Sequence, residues 1–322
     1  GGHLHSLCVG SLSSVVPPTT AAAIPLFFTA APPARHGFTG WFTWLRELGC
    51  VSAVLPYVTR HGHLPLGDCA PGPLELSQCE PVTNRLPMAC HVVSPRNIAH
   101  SVFNRGFSGD AEIHAYDDMT GFFGSVRDTL KSGKGRKYVY AYWPGLDNIA
   151  HVHGIGSPNA WQHLEQFDHS FGSLLRELRG TDTAVVVTAD HGFVDVPKER
   201  VVHMDDHPEL ADCLSLPLCG EPRIAYCYVK PGRSECFESY VSSELAEQMS
   251  LCVSQNLIDE GFFGPGPRHP QLAHRVGDYT LLLKESYMIK DQLPGEHDLE
   301  LIGMHGGLST DELHVPLVFS SV

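Results

Sequence analysis

The stretch that decides the fold is "TAVVVTADHGFVDV", residues 183–196. Its first half is a nearly continuous run of β-branched residues, which is typical of a strand buried in a parallel sheet. The run ends at Asp190, His191 and Gly192, so two side chains that commonly bind metals directly follow the predicted strand. Ligands of open α/β sheets collect at the carboxyl ends of strands. The stretch therefore predicts a buried strand with a functional site at its end.

A second strand and a connecting helix precede this stretch. "RKYVYAYW", residues 136–143, has the same apolar, β-rich character. Between the two strands, large apolar residues recur at helical spacing through "AWQHLEQFDHSFGSLLREL", residues 160–178. Strand, helix and strand form a crossover unit, which predicts an α/β fold with a mainly parallel central sheet flanked by helices. "LHVPLVFS", residues 313–320, predicts a further strand, in which Pro316 favours a sheet edge or a strand start.

The remaining chain is interpreted as additions to this single domain, residues 1–322. Residues from about 40 to 135 are rich in Pro, Gly and Cys and have weak periodicity, and residues from about 200 to 300 are mixed. We predict that both are insertions that build a cap or substrate wall. The chain opens with "GGHLHSL", which reads as the middle of a protein, so we expect an N-terminal strand to be missing.

Composition limits the function. The net charge is −14, from 36 acidic and 22 basic residues, which argues against binding a nucleic-acid polymer and requires a local positive centre for any anionic substrate. The ten cysteines form no CxxC pair, which favours free thiols, a reducing compartment and hence the cytoplasm. No apolar run reaches the roughly 18 residues that span a bilayer. Oligomeric state is not predicted.

Two further sets of potential metal ligands occur. Asp147 follows the strand at 136–143, and His151 comes four residues later, a spacing that puts both on one face of a helix. His305 precedes Gly306 and Gly307, which let the backbone bring the imidazole close to a partner. These residues also have ordinary structural explanations. Asp190 could cap a turn after its strand, and Asp147 and His151 could lie at a solvent-exposed helix start. Their joint occurrence at strand ends favours zinc or a similar divalent ion.

A candidate nucleophile lies in "SSVVPPTTAAAIPLFFTAAPPARHGFTGW", residues 13–41. Two prolines lead to Thr19 and Thr20, which are followed by small residues that can start a helix. A hydroxyl at a helix N-terminus lies among free N–H groups that can hold a phosphoryl oxygen. A simple N-cap would also explain Thr20, and Pro25 would remove a hydrogen bond from that helix.

In their order along the chain, the nucleophile segment, "D…H", "DHG" and "HGG" resemble the type I phosphodiesterase and nucleotide pyrophosphatase family of the alkaline phosphatase superfamily. The resemblance runs through nearly the whole chain. Each motif is weak alone, and their order makes the resemblance specific. It implies an alkaline-phosphatase-like sandwich, two divalent metal ions, expected to be Zn²⁺, at strand ends, and a Thr or Ser that attacks phosphorus to form a covalent phospho-enzyme.

The resemblance assigns a role to each candidate. Thr20 matches the nucleophile, because Thr29 and His36 follow it at the spacing of the family's "TG…P…HG" tail. The ligands of one metal match Asp147, His151 and His305, and ligands of the second metal match Asp190 and His191.

The chain also departs from the family pattern. The family's second metal takes an Asp from a first-strand "DG" motif, and no Asp precedes Thr20, so that strand is missing or the second site is incomplete. Ala23 stands where nucleotide pyrophosphatases have Asn, which puts a nucleotide substrate in doubt, and Ala30 replaces the Gly of "TG". "CAPGP", residues 69–73, lacks the Arg of the sulfatase motif "CxPxR".

The sequence thus predicts a metal-dependent hydrolase of small phosphate esters, foremost a phosphodiesterase with a phospho-threonine intermediate. One alternative is a phosphonate hydrolase similar to phosphonoacetate hydrolase. Another is a catalytically inactive binding homologue. Arg223 and Arg275 are expected to pair with acidic residues inside the insertion more than to contact substrate.

Overall fold

The computed structural model describes residues 2–67, 71–296 and 300–322, so Cys69 and Ala70 of "CAPGP" lie outside the described residues. Its strands are β1 (Cys8–Ser13), β2 (Phe42–Leu45), β3 (Cys50–Ala53), β4 (Val58–Thr59), β5 (Ala89–Pro95), β6 (Glu112–Tyr116), β7 (Lys137–Ala141), β8 (Ala184–Val187), β9 (Val194–Asp195), β10 (Val201–His203), β11 (Cys219–Glu221), β12 (Ile224–Cys227), β13 (Met249–Val253), β14 (Tyr279–Leu283), β15 (Met288–Lys290), β16 (Gly303–Met304) and β17 (His314–Ser321).

Its α-helices are α1 (His3–Ser6), α2 (Thr20–Thr29), α3 (Pro33–His36), α4 (Pro73–Ser77), α5 (Val82–Arg85), α6 (Arg96–Ala99), α7 (Val102–Ser108), α8 (Met119–Lys131), α9 (Gly145–His153), α10 (Pro158–Glu177), α11 (Pro208–Cys213), α12 (Ser234–Glu244), α13 (Ser254–Asp259), α14 (Leu272–Arg275) and α15 (Thr310–Leu313). Short 3₁₀ turns lie at Lys198–Arg200 and Met204–Asp206.

A parallel three-stranded sheet with helices on both faces forms the first part of the core. Its strand order is β6-β5-β7. On one face, Val92 and Tyr140 pack against the aromatic side chains of α2 and α7, with the rings of Phe28 and Tyr140 4.7 Å apart. On the other face, Val93 packs with Tyr116 and the α8 side chain Phe122. This arrangement confirms the predicted α/β class.

The predicted crossover forms, but its two strands do not pair. Helix α10 matches the helix predicted at residues 160–178. Strand β8 pairs antiparallel with β17, which also pairs with β1, and among the described residues no hydrogen-bonded ladder joins β7 to β8. The prediction that both strands lie in one parallel sheet is therefore wrong. An apolar run identifies a strand but does not specify its partner, and here the C-terminal strand occupies an edge of β8. Strand β8 pairs with residues 318–321 of β17, so Pro316 has no partner from β8.

A seven-stranded sheet, β13-β14-β12-β11-β2-β3-β4, is antiparallel throughout. Residues 42–59 and 219–283 supply its strands. Its interior includes Ala225 and Leu281, which pack with Phe237 and Val241 of α12. Within the segment 40–135, for which the sequence predicts an insertion, strands β5 and β6 belong to the parallel sheet. Weak periodicity concealed them because their side chains include His, Cys and Pro as well as Val.

Two predictions about composition can be compared with the structure. The nine cysteines among the described residues are free thiols, as predicted. Within the described ranges, no helix is long and apolar enough to cross a membrane.

Candidate active site

The first pair of predicted ligands lies on a helix that begins just after β7. Asp147 is in the first turn of α9 and His151 is in the last. Asp147 Oδ1 lies 3.4 Å from His151 Nε2, so the predicted i, i+4 arrangement is confirmed.

A short antiparallel ladder brings the later histidines together. Strand β9 begins three residues after His191, and it pairs with β16, which ends directly before His305. The two imidazole rings are consequently stacked, with centroids 3.8 Å apart and an interplanar angle of 21°. Gly306 has φ of +103°, a conformation that glycine adopts readily, so the predicted need for glycine after His305 is confirmed at this position.

The three histidines are oriented in the same way. In each ring Nδ1 faces a backbone carbonyl, which can only accept a hydrogen bond, so Nδ1 carries the hydrogen and donates it. The distances are 2.7 Å from His151 to Gly303, 3.0 Å from His191 to Gly192 and 3.3 Å from His305 to Pro18. This pattern leaves every Nε2 lone pair available to a ligand, which is the usual preparation of histidine for metal binding.

Asp147 lies at the centre of these lone pairs. Its Oδ1 is 3.4, 3.8 and 4.0 Å from the Nε2 atoms of His151, His191 and His305. This oxygen is buried, and no described side chain meets it with hydrogen-bond geometry. A buried carboxylate oxygen without a partner is costly unless a cation binds it. One ligand atom each from Asp147, His151 and His305 lies within 4.8 Å of the others, so the residues fit a divalent ion.

Asp190 and His191 lie beside this cluster, on the Thr20 side. Asp190 Oδ2 is 3.6 Å from His191 Nε2. The predicted ligands are thus brought together, with three residues around one position and two around the next. Two protein ligands are fewer than a zinc site normally has.

Burial and neighbouring charges set the protonation of the cluster. Burial, reinforced by His191 and His151, holds the pKa of His305 well below its usual range, so this imidazole is neutral and can bind a metal. Burial also lowers the pKa of His151, but the Asp147 carboxylate outweighs this effect, and the net pKa lies above the usual value.

Thr20 is the first residue of α2, and Thr19 occupies the N-cap position. Its hydroxyl donates to Asp190 Oδ2 at 2.9 Å and lies 3.1 Å from His191 Nε2. The N-cap interpretation of Thr20 is therefore wrong: the side chain faces the Asp190 and His191 pair. Helix α2 contains Pro25. The hydroxyl of Thr29 donates to the carbonyl of Pro25 at 2.6 Å.

Three further residues at this site had not been identified as functional. Glu221 is buried and accepts hydrogen bonds from the Thr19 hydroxyl and the Trp41 amide, each at 2.7 Å, and burial raises its pKa to about 7. Burial, reinforced by Asp190 and Asp147, holds the pKa of Tyr142 well above its usual value. The ring of Phe193 lies 5.2 to 5.3 Å from the rings of all three histidines. Of these three residues, only Phe193, which directly follows the "DHG" motif, could have been recognised from the sequence.

The two predicted arginines have structural partners. Arg223 is buried and pairs with Glu312, with Nε 2.6 Å from Oε1. Arg275 is fully buried and pairs with Glu47 at 2.9 Å. The interpretation of both as partners of acidic residues is confirmed, but neither Glu312 nor Glu47 lies in the segment 200–300 that contains the arginines.

A hydroxyl at a helix start lies beside a cluster of Asp and His side chains at strand ends, an arrangement that suits nucleophilic attack next to a candidate metal centre. The sequence model described as "Type I phosphodiesterase / nucleotide pyrophosphatase" matches residues 77–308, more than half of the chain. The chain therefore belongs to this family, in which metal-dependent hydrolysis of phosphate esters is expected. The match includes every predicted metal ligand and does not extend to Thr20.

Solved structures confirm the alkaline-phosphatase-like fold. Murine ectonucleotide pyrophosphatase / phosphodiesterase 5 superposes with a TM-score of 0.72 at 17% identity, covering 98% of this chain and 82% of that chain. An inactive threonine-to-alanine form of the murine protein, in complex with AMP, gives 0.70 at 17% identity with the same coverage. Phosphonoacetate hydrolase from Sinorhizobium meliloti 1021, in complex with phosphonoformate, gives 0.64 at 19% identity, covering 96% and 80%.

Proposed function

We propose that the protein is a metal-dependent phosphodiesterase in which Thr20 is the nucleophile. The observation that carries this proposal is the position of the Thr20 hydroxyl, 2.9 Å from Asp190 and 3.1 Å from His191, at the start of a helix. A hydroxyl so placed has a proton acceptor and free backbone N–H groups beside it. Family membership supports the reaction class, and the inactive threonine-to-alanine form of the murine protein supports a threonine nucleophile.

The candidate ligands divide into two groups. Asp147, His151 and His305 would hold one divalent ion, and Asp190 with His191 would hold a second, with Zn²⁺ as the expected metal. When bound, such ions lower the pKa of a nearby hydroxyl and neutralise charge on phosphate oxygens.

In the proposed reaction, Thr20 Oγ1 forms a bond to phosphorus, and the bond from phosphorus to the leaving alkoxide breaks. The hydroxyl proton passes to the Asp190 carboxylate and from there to solvent, and the leaving alkoxide takes a proton from water. Water then attacks the phospho-threonine, which releases a phosphate monoester and restores the hydroxyl.

The test is turnover of bis(p-nitrophenyl) phosphate by Thr20→Ala, with zinc measured per chain. We expect turnover to be lost while zinc content stays near that of the unmodified protein, because Thr20 is not a ligand. Thr20→Ser is the matched control, since it keeps a hydroxyl at the same position and should retain part of the activity. Full activity of Thr20→Ala would exclude Thr20 as the nucleophile.

The similarity to phosphonoacetate hydrolase favours a second candidate, cleavage of a carbon–phosphorus bond. Release of inorganic phosphate from phosphonoacetate, measured beside the diester assay, separates the two functions. Loss of both activities with normal metal content would favour the inactive binding homologue.

A further inference from the structure

A second cluster of metal-ligating side chains lies on the parallel sheet, away from the candidate active site. His91 is the third residue of β5, and Glu112 and His114 are the first and third residues of β6. The parallel register pairs His91 with Glu112 and Val93 with His114. All three side chains therefore project from one face, near the amino ends of the strands, whereas the candidate active site lies beyond their carboxyl ends.

We propose that His91, Glu112 and His114 form a second binding site for a divalent transition-metal ion such as Zn²⁺. One ligand atom from each residue lies within 4.8 Å of the others. Two imidazoles and one carboxylate are a common set of protein ligands for zinc, with a fourth position left for water.

The separations are close to those that a bound ion requires. His91 Nδ1 is 3.0 Å from His114 Nε2, and the Glu112 oxygens lie 3.5 Å from the first nitrogen and 4.0 Å from the second. Tetrahedral Zn–N bonds of about 2.0–2.1 Å place two ligand nitrogens about 3.3 Å apart. Small side-chain rotations would thus admit the ion, and the two strands fix the backbone positions.

Burial and charge also suit a cation. The side chain of His91 is 10% exposed and that of Glu112 is 68% exposed, so the cluster has a rigid inner ligand and a solvent-accessible entrance. His91 Nε2 has no hydrogen-bond partner among the described residues, so no contact from outside the cluster fixes which ring nitrogen carries the hydrogen. Nδ1 can therefore present its lone pair to the cluster.

Lys137 is a cation close to the cluster, and the two imidazoles can also pair with each other without a metal. Lys137, on the adjacent strand, donates to the carbonyls of Thr129 and Leu130 at 2.8 and 3.3 Å, so its ammonium group is occupied at the end of α8. Without a metal, the 3.0 Å contact between His91 and His114 is a hydrogen bond between two neutral rings. The two interpretations differ in whether removal of one imidazole changes metal binding.

The test is a zinc titration of chelator-treated protein, with bound zinc measured after equilibrium dialysis. We expect His114→Gln to bind about one zinc per chain less than the unmodified protein and to keep its hydrolytic activity. Loss of a supporting residue usually weakens metal affinity about 10 to 100-fold, so loss of a ligand should weaken this site by at least about 100-fold. Glu112→Gln, at a more exposed position, should weaken the same site without affecting folding.

His169→Gln is the matched control, because it removes an exposed imidazole from α10, outside the cluster. It should bind as much zinc as the unmodified protein. Equal zinc content and affinity in His114→Gln, Glu112→Gln and the control would overturn the proposal and leave a hydrogen-bonded histidine pair. This result is independent of the catalytic role of Thr20, because its readout is metal content.

Discussion

Glu312 is expected to hold in place the two loops that carry His191 and His305. Its Oε1 accepts from the Gly307 amide at 2.7 Å, two residues after His305, and its backbone carbonyl accepts from the Gly192 amide at 2.8 Å. Its side chain also pairs with both Nε and Nη2 of Arg223, at 2.6 and 2.9 Å. The Arg223 and Glu312 side chains are 1% and 0% exposed, so solvent does not screen this pair.

The perturbation is Glu312→Gln, which keeps the shape of the side chain and removes its charge. The amide nitrogen cannot accept, so the Arg223 guanidinium loses its counter-charge in a buried position. Breaking a buried pair from one side costs about 3–5 kcal/mol. For a chain of this size, whose entropy of unfolding is about 0.7 kcal/mol per degree, that loss corresponds to a fall in the thermal midpoint of roughly 4–7 °C.

The assay is thermal unfolding of chelated protein, followed by circular dichroism. Arg223→Met and the double variant complete a cycle, in which the double variant should be less destabilised than the sum of the single variants. Asp117→Asn is the control, because it breaks a bidentate pair with Arg96 whose side chains are more than half exposed, and it should leave the midpoint almost unchanged. A midpoint for Glu312→Gln within 1 or 2 °C (roughly) of the unmodified protein, or strictly additive effects, would refute the reasoning.

Two further predictions concern pH. Burial lowers the pKa of His36 from 6.5 to about 3, so between these values the unfolded chain binds a proton that the folded chain does not. The free energy of unfolding should therefore fall by about 5 kcal/mol as the pH drops through this window. Urea titrations at pH 7 and pH 5 should show a smaller fall for His36→Gln, and equal falls would contradict the assignment. Burial raises the pKa of Glu221 from 4.5 to about 7, so its effect on the free energy of unfolding has the opposite dependence on pH. The folded chain keeps a proton that the unfolded chain loses, and this group therefore lowers stability as the pH rises from 4.5 to 7. In metal-free protein at pH 8, the Glu221→Gln variant should therefore be more stable than the unmodified protein by on the order of 3 kcal/mol. A less stable variant would show that the buried carboxylate is already compensated.

Local patterns predicted the elements that carry the site. The apolar runs around β7 and β8 and the helical spacing of α10 are properties of consecutive residues, so the sequence alone revealed them. The spacing of Asp147 and His151 also predicted a shared helix face, and the structure confirms it.

Long-range pairing could not be read in the same way. The ladder between β9 and β16 involves two residues of each strand, and it helps to bring His191 and His305 together. Glu221 had no motif of its own, because it reaches Thr19 through the register of the seven-stranded sheet, more than two hundred residues along the chain. Short strands with few apolar residues, such as β11, have too little periodicity to be recognised before their partners are known.

The charges at the candidate active site link metal binding to substrate binding. Asp147, Asp190 and Glu221 bring three carboxyl groups to one region, and Arg223, which lies next to the His305 loop, is already paired with Glu312. A phosphate ester would meet repulsion from the ionised carboxylates before any bond could form. A divalent ion held by Asp147, His151 and His305, as proposed above, would offset the charge of two of these carboxylates, so ion and phosphate should each raise the affinity of the other by the same factor. In a chain with a net charge of −14, this coupling would make the proposed cation part of the substrate-binding site as well as part of the catalytic group.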